Sequence, residues 1–145
     1  MLKLYHHPFS PSSRFVRLLL TEYQAAFEVE EIKPWERPQN LLRLNAAGTV
    51  PVLVENDGPG ICGPGPIMEY IDETRGYAVG DRRLMPDHPD ARAETRRLVD
   101  WALSKFDQEV VGHLVRERIY KQTMPRSSGG GEPDSAILRV ARANI

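Results

Sequence analysis

The sequence predicts an α/β domain with a partly parallel sheet, followed by an all-helical region, and three observations support this. Strand-like and helix-like patterns alternate over about the first half of the chain. Pro51 stands at the mouth of the β-branched run Val50–Glu55, where its missing N–H suits the first residue of a strand. A wide apolar stripe then follows, and its width indicates a helix packed against more than one neighbour.

The first elements are predicted from local patterns. Leu2–His6 and Phe27–Ile32 alternate and predict two strands. Between them, Ser12 and Ser13 can cap a helix. The helical face has spacing i, i+3, i+4 and i+7, and consists of Val16, Leu19, Leu20 and Tyr23.

The next segment holds a loop, a short helix and a hairpin. Two prolines four residues apart make Lys33–Pro38 a loop. A leucine-rich helix follows and closes at Gly48. After the Val50–Glu55 strand, an Asp-Gly pair predicts a hairpin whose returning strand is Ile61–Cys62. Pro66 then suits the first residue of a helix that runs from Ile67 to about Thr74.

This order, βαβαββα, places helices on the faces of a partly parallel sheet. We expect a domain over residues 1–76, a linker over residues 77–88 and the start of an all-α domain over residues 89–145. Asp87 and Asp134 are predicted caps of the long and the final helix, and Pro125–Pro133 a loop between them. One helix and a short second helix cannot enclose the stripe, which favours a truncated or incompletely assigned helical domain. The stripe comprises Leu98, Val99, Leu103, Phe106, Val110 and Leu114, with Ala102 between them and Trp101 on a neighbouring face.

Composition restricts the partners and the compartment. The formal net charge is −1, which gives no electrostatic reason to expect binding to nucleic acid or an anionic membrane. No apolar run approaches the roughly 20 residues that a bilayer span needs. No signal-peptide pattern precedes the first strand. The single cysteine, Cys62, excludes an internal disulfide and fits a cytoplasmic location.

The Val50-Pro51 bond has two interpretations that the local residues leave open. X-Pro bonds adopt the cis form at a cost of only about 0.5–1 kcal/mol. A cis bond would leave the N–H and C=O of Val50 pointing out of the sheet, where an extended ligand could pair with them. Alternatively, a trans proline simply begins the strand.

Three motifs carry a resemblance to a known family. They are Ser10–Arg14, Asn45–Leu53 and Ile67–Ile71. With the βαβαββα order and the helical region that follows, they resemble the glutathione transferase superfamily along the whole chain. The resemblance implies a thioredoxin-like N-terminal domain, a helical second domain and a homodimer.

Other motifs are similar to a narrower branch of the superfamily. They are Pro34–Glu36, Arg97–Trp101, Lys105-Phe106 and Ala141–Ile145. That branch contains a bacterial cell-division protein that binds filaments of the tubulin-like protein FtsZ. The resemblance therefore implies FtsZ filaments as the partner.

The resemblance implies catalysis, if any, by a serine hydroxyl that lowers the pKa of the glutathione thiol. The pKa of a free thiol is near 8.5, and the thiolate rather than the thiol is the nucleophile. Ser10 is the first candidate, followed by Ser12 and Ser13, although the latter two can instead simply cap the helix. Val50 and Pro51 would hold the tripeptide backbone.

The resemblance also indicates a damaged glutathione site. In active relatives, an acidic or amide residue and a serine at the start of the third helix hold the γ-glutamyl group. Those positions are occupied here by Gly63 and Pro64, which lack polar side chains, and proline also lacks an N–H. The sequence therefore favours a vestigial pocket.

Candidate partner residues are found in two places. Trp35 and Glu36 lie in the loop between prolines, where Trp35 could be an exposed binding residue or could fold back over the second helix. Arg116, Glu117 and Arg118 form either a solvated helix face or a contact patch. The scattered histidines and Cys62 show no metal-ligand spacing. Two hypotheses follow: a non-catalytic FtsZ-binding adaptor, which is favoured, and an active glutathione transferase that uses Ser10.

Overall fold

The structure, a computed structural model, describes residues 1–145. The chain divides into two compact units, Met1–Arg97 and Leu98–Ile145, and each is described by itself. The domain limits at residues 76 and 89 stay a prediction.

The first unit is built on a sheet of four strands in the order β2-β1-β3-β4. The strands are β1 (Leu2–His6), β2 (Phe27–Glu31), β3 (Val52–Glu55) and β4 (Ile61–Cys62). β1 pairs with β2 in parallel and with β3 antiparallel, and β4 pairs antiparallel with β3. The prediction of a partly parallel sheet with a terminal hairpin is confirmed.

Three helices complete the predicted βαβαββα order. They are α1 (Pro11–Glu22), α2 (Gln39–Leu44) and α3 (Pro64–Val79), with short 3₁₀ turns at Pro34–Glu36 and Gly80–Arg82. α3 begins two residues before Pro66 and ends at Val79, later than the predicted Thr74. The helix therefore includes residues 77–79, which the sequence placed in a linker.

The sheet is covered on both faces. Leu4 of β1 lies opposite Leu53 of β3, and both are fully buried. The same core contains residues of α1 and α3, which pack together: Val16, Leu20, Ile67 and Ile71. Neighbouring strand residues point the other way, and Val52 packs there with Ile32 and Leu41 of α2. Because β3 runs antiparallel to β1, the end of β1 and the start of β3 lie at the same edge of the sheet, next to the first turn of α3.

The cap of α1 differs from the prediction. Ser10 is the N-cap, and its hydroxyl accepts a hydrogen bond from the N–H of Ser13 at 3.2 Å. The expectation that Ser12 or Ser13 caps the helix is wrong, because Pro11 takes the first helical position, for which its fixed φ is suited. Ser12 and Ser13 thus lie inside the first turn.

The hairpin turn also differs in detail from the Asp-Gly expectation. Asn56 and Asp57 are the two central residues, with φ of 49° and 57°. The N–H of Gly58 closes the turn on the carbonyl of Glu55 at 2.9 Å. Two central residues with positive φ suit the twist of a tight hairpin, so Asn-Asp rather than Asp-Gly forms the turn.

Helical backbone begins at Pro89 and extends to Thr123. The prediction that Asp87 caps this helix is wrong, because the first helical hydrogen bond runs from the N–H of Arg92 to the carbonyl of His88, and the Asp87 carboxylate pairs with Arg83 at 3.3 Å instead. The consecutive segments of the helix are Pro89–Asp100, Trp101–Val111, Gly112–Val115, Arg116–Tyr120 and Lys121–Thr123. The second and fourth of these have the wider π-helical hydrogen bonding. This helix is called the long helix below. None of the helices is long and apolar enough to cross a bilayer.

The second unit ends in a helix at Ser135–Ala143, after a loop that contains a 3₁₀ turn at Arg126–Ser128. Asp134 caps this helix as predicted, because its carboxylate accepts hydrogen bonds from the N–H groups of Ala136 and Ile137. The last helix packs on the long helix, where Val110 and Ala141 are buried. Leu98 and Trp101 of the predicted stripe nevertheless remain half exposed.

Candidate functional site

The turn into β3 and the start of α3 lie side by side. The Val50-Pro51 peptide bond is cis, as one of the two interpretations expected. The N–H of Gly63 donates to the carbonyl of Pro51 at 3.0 Å. β3 begins only at Val52, and the N–H and C=O of Val50 make no hydrogen bond within the chain. Free main-chain groups therefore lie next to the first turn of α3.

The first turn of α3 is poor in hydrogen-bond donors. Gly63 is the N-cap, with φ of 89° and no side chain to cap the helix. Pro64 and Pro66 have no N–H, and the N–H of Ile67 already donates to the carbonyl of Gly63 at 3.2 Å. A helix normally presents four unpaired N–H groups at this end, and they favour anions. Here only the N–H of Gly65 remains.

The three candidate serines have different roles around the start of α1. Ser13 is fully buried, and its Oγ accepts a hydrogen bond from the N–H of His7 at 3.3 Å. Ser12 and Ser10 are half-buried. Because the Ser10 hydroxyl acts as an acceptor in the cap, its own proton remains free to be donated. Of the three, Ser10 is the one placed to donate to a bound group.

Trp35 lies against the loop after β1. Its ring is 5.4 Å from the ring of His7, in an edge-on orientation, and its indole N–H is buried. The side chain is half-buried, so one portion packs inward and the rest is accessible; its role in binding a partner stays a prediction. Glu36 is exposed and pairs with Lys33 at 3.5 Å.

His7 is the residue that sequence reasoning missed. Its main-chain N–H donates to Ser13 and its ring contacts Trp35. Two adjacent histidines match no sequence motif that would have predicted these contacts. Burial lowers the pKa of His7, although the nearby Glu31 carboxylate acts in the opposite direction and raises it. Burial likewise lowers the pKa of His6, and the nearby Arg17 guanidinium lowers it further. Both imidazoles are therefore neutral near pH 7.

Comparison with known proteins assigns the family. Residues 4–79 match the N-terminal domain of glutathione S-transferases. The chain belongs to the glutathione S-transferase family. A curated relative, FtsZ-localized protein A of Caulobacter vibrioides, is 39% identical over 142 residues, which cover 96% of this chain and 59% of that protein. The Stringent starvation protein A homolog of Pasteurella multocida is 36% identical over 91 residues, or 59% of this chain and 41% of that protein.

Solved structures of the family extend the match to nearly the whole chain. A glutathione S-transferase of Sinorhizobium meliloti is 52% identical with a TM-score of 0.96, and the match covers 100% of this chain and 63% of that one. A glutathione S-transferase of Rhodospirillum rubrum is 40% identical with a TM-score of 0.87, and the match covers 99% of this chain and 61% of that one. FzlA from C. crescentus is 39% identical with a TM-score of 0.84, and the match covers 98% of this chain and 61% of that one. The chain thus spans about three fifths of the length of these relatives, and includes the thioredoxin-like domain and part of the helical domain.

The predicted charged patch of the second unit is only partly exposed. Arg116 and Arg118 are exposed, whereas Glu117 is 1% exposed. The Glu117 carboxylate pairs with Lys121 at 2.5 Å and accepts a hydrogen bond from the N–H of Asp134 at 2.7 Å. Burial alone would raise the pKa of Glu117, but these two contacts outweigh it and hold the pKa below its usual value. The expectation of a solvated face is wrong for Glu117, because it fastens the last helix to the long helix.

Neither the cysteine nor the acidic side chains form an alternative centre. The Cys62 thiol is half-buried and contacts the carbonyl of Leu44 at 3.4 Å. Burial raises the pKa of this thiol, so it stays protonated and poorly nucleophilic. No group of three or more His, Cys, Asp or Glu side chains is arranged to hold a metal ion. The chemistry available in the first unit is therefore that of Ser10 and the free main-chain groups.

Proposed function

We propose that this protein is a non-catalytic member of the glutathione S-transferase family that binds FtsZ filaments and regulates bacterial cell division in the cytoplasm. The observation that carries the proposal is the donor-poor start of α3. There, Gly63 and Pro64 offer no polar side chain, and the first turn keeps one N–H, that of Gly65. The relative named FtsZ-localized protein A, which is 39% identical across 96% of this chain, supports FtsZ as the partner.

The energetic consequence of the altered first turn is large. A charge-assisted hydrogen bond contributes about 1.5–3 kcal/mol, and the γ-glutamyl group carries both a carboxylate and an ammonium group. If two such contacts are lost, glutathione binding weakens by roughly two to four orders of magnitude, at 1.4 kcal/mol per tenfold. The free N–H and C=O of Val50 do not compensate, because they would pair with any extended backbone.

We propose two separate FtsZ-contacting sites, Trp35 with Glu36 in the first unit and Arg116 with Arg118 in the second. The accessible portion of Trp35 and the three exposed charges support this choice. Tryptophan and arginine are enriched among residues that dominate binding energy. Glu117 is left out of the surface because it is buried.

The test is co-sedimentation with polymerised FtsZ. The wild-type protein is expected in the pellet with the filaments, and Trp35→Ala is expected in the supernatant with a nearly unchanged melting temperature. Tyr77→Ala is the matched control, since Tyr77 is an exposed aromatic residue of the same unit, and it should pellet normally. A wild-type protein that stays in the supernatant contradicts FtsZ binding. A large fall in the melting temperature of Trp35→Ala assigns this residue to the core instead.

An active glutathione transferase is the second candidate, and the Ser10 hydroxyl favours it. A half-buried hydroxyl with a free proton at a helix N-terminus can stabilise a thiolate. Calorimetric titration that shows micromolar affinity for glutathione would overturn the vestigial pocket. In that case, Ser10→Ala should abolish conjugation of a chromogenic electrophile, and Ser12→Ala should leave it largely intact.

A further inference from the structure

We propose that His7 is a proton-sensitive link between the loop that ends at Ser10 and the ring of Trp35. When its imidazole gains a proton at Nδ1, the ring gives up a hydrogen bond within the loop and changes its contact with the indole. All of these residues belong to the first unit. The link can be tested on Trp35 without a partner, so it goes beyond the proposed binding of FtsZ.

The loop after β1 is closed by both the main chain and the side chain of His7. The carbonyl of His7 accepts a hydrogen bond from the N–H of Ser10 at 3.1 Å. The N–H of His7 donates to Oγ of Ser13 at 3.3 Å. Its Nδ1 accepts a hydrogen bond from the N–H of Phe9 at 3.3 Å. The neutral ring therefore carries its own proton on Nε2.

A proton that is taken up by this ring must enter at Nδ1. Nδ1 then becomes a donor that faces the N–H of Phe9, and two donors cannot share a hydrogen bond. The main chain of His7 is held by Ser10 and by Ser13, so the ring is the part that can respond, by rotation about its side-chain bonds. Protonation therefore opens the side-chain closure of the loop and moves the imidazole.

The imidazole contacts two aromatic side chains that would sense this movement. Its centroid is 5.4 Å from that of Trp35, in an edge-on orientation, and 6.1 Å from that of Phe9. Trp35 lies in the 3₁₀ turn Pro34–Glu36, which follows β2, and its side chain is half-buried. A change in the charge of His7 thus reaches a residue of a different loop.

The charged and titratable groups around His7 set the pH at which the link operates. Burial lowers the pKa of His7 from the ordinary 6.5, and the Glu31 carboxylate at the end of β2 opposes this shift. His6 in β1 is also buried, and its pKa is lowered by burial, by Arg17 of α1 and by His7, with Glu31 again in opposition. The buried Nδ1 of His6 accepts no hydrogen bond, so a proton there breaks none. The link therefore operates below pH 6.5, and it depends on His7 rather than on His6.

The test is a pH titration of the isotope-labelled protein by NMR. The chain has two tryptophans, and Trp101→Phe identifies which indole N–H signal belongs to Trp35. The signals of the His7 ring, the Phe9 amide and the Trp35 indole should shift together, with a common midpoint below pH 6.5. A Trp35 signal that stays constant while His7 titrates overturns the proposal. A His7 ring that stays neutral until the protein unfolds, as followed by circular dichroism, overturns it as well.

His7→Asn is the matched variant. An asparagine oxygen can accept a hydrogen bond from the N–H two residues later, as in an Asx-turn, so the loop can stay closed, but the side chain cannot be protonated. The Trp35 signal should lose its shift in this variant, whereas the exposed control His88→Asn should keep it. An equal shift in His7→Asn contradicts the link. If this variant does not fold, the common midpoint in the wild-type protein decides the question alone.

The consequence for filament binding rests on the proposed function. In co-sedimentation with polymerised FtsZ at about pH 7.5 and about pH 5.5, the wild-type protein should pellet less at the lower pH, and His7→Asn should pellet equally at both. An equal loss for the two proteins overturns the control of binding by His7. If neither protein pellets at either pH, the proposed function fails, while the NMR titration still decides whether the link exists.

Discussion

At the scale of single residues, burial of His6 and His7 couples stability to pH. Each imidazole is 5% exposed, and burial lowers its pKa from the usual 6.5. The unfolded chain therefore binds more protons than the folded chain once the pH falls below about 6.5. The free energy of unfolding should decrease on acidification through this range.

Urea denaturation at about pH 7.5 and about pH 5.5 measures this effect. The variant His7→Asn keeps an acceptor for the N–H of Phe9, which donates to Nδ1 of His7, but cannot be protonated. Its stability should depend less on pH than that of wild type, whereas the exposed control His88→Asn should behave as wild type does. An equal pH dependence in His7→Asn would show that the buried imidazole is not the cause.

The buried carboxylate of Asp72 is the second single-residue case. It pairs with Arg83, receives a hydrogen bond from the Tyr23 hydroxyl at 2.6 Å, and contacts Arg92 at 3.1 Å. Burial by itself would raise the pKa of Asp72, but these three partners outweigh it and the pKa is lowered. The carboxylate thus fixes α3 to α1 and to the segment that follows α3.

We expect Asp72→Asn to lower the free energy of unfolding by about 1–3 kcal/mol, because the buried amide cannot replace the charge-assisted hydrogen bonds that the carboxylate accepts. Chemical denaturation measures the change. Glu94→Gln is the control, since it breaks an ion pair with Arg97 on the surface, and exposed pairs contribute little. If the two variants were equally stable, the Asp72 cluster would have no special structural role.

At the scale of elements, we expect the first turn of α3 to determine how tightly the protein binds glutathione. Pro64→Ser adds a hydroxyl and an N–H at the first helical position. We expect it to raise glutathione affinity by at least about tenfold, since one charge-assisted contact contributes about 1.5–3 kcal/mol. Pro64→Ala restores the N–H alone and should give a smaller gain.

Calorimetric titration with glutathione compares the three proteins. The expected order of affinity is Pro64→Ser, then Pro64→Ala, then wild type. If wild type already binds as tightly as Pro64→Ser, the missing donors at the start of α3 do not limit binding, and the proposal of a vestigial pocket fails.

Helix caps show where element-scale prediction succeeded and where it did not. Asp134 was identified correctly because a single capping residue precedes the last helix. Three serines surround the start of α1, and the local pattern could not choose among them. The choice depended on Pro11, whose position fixes the first helical residue and makes Ser10 the cap.

At the scale of the whole molecule, exposed apolar side chains favour self-association. Leu98, Trp101 and Val140 are each at least half exposed in the second unit, and large exposed apolar residues often mark interaction surfaces. We propose a homodimer, the assembly that the family resemblance implies. Sedimentation equilibrium should then give a mass near twice the 16.4 kDa of the chain. A mass that stays at the monomer value over a wide concentration range would contradict the dimer.

The sequence by itself determined the order βαβαββα, the long helix that follows it and the Asp134 cap. These features depend on periodicity, proline and capping chemistry, which act over a few neighbouring residues. The motifs around Val50, Pro51, Gly63 and Pro64 resemble the family, and the role of these four residues in a glutathione site stays a prediction.

Only the tertiary structure decided which side chains are accessible. Glu117 lies in a charged run, yet it is buried because the N–H of Asp134, 17 residues later, reaches its carboxylate. His7 joins Ser13 and Trp35 through contacts that no local pattern encodes. Such pairings form between distant segments of the chain, so they follow from the packing of elements rather than from the spacing of residues.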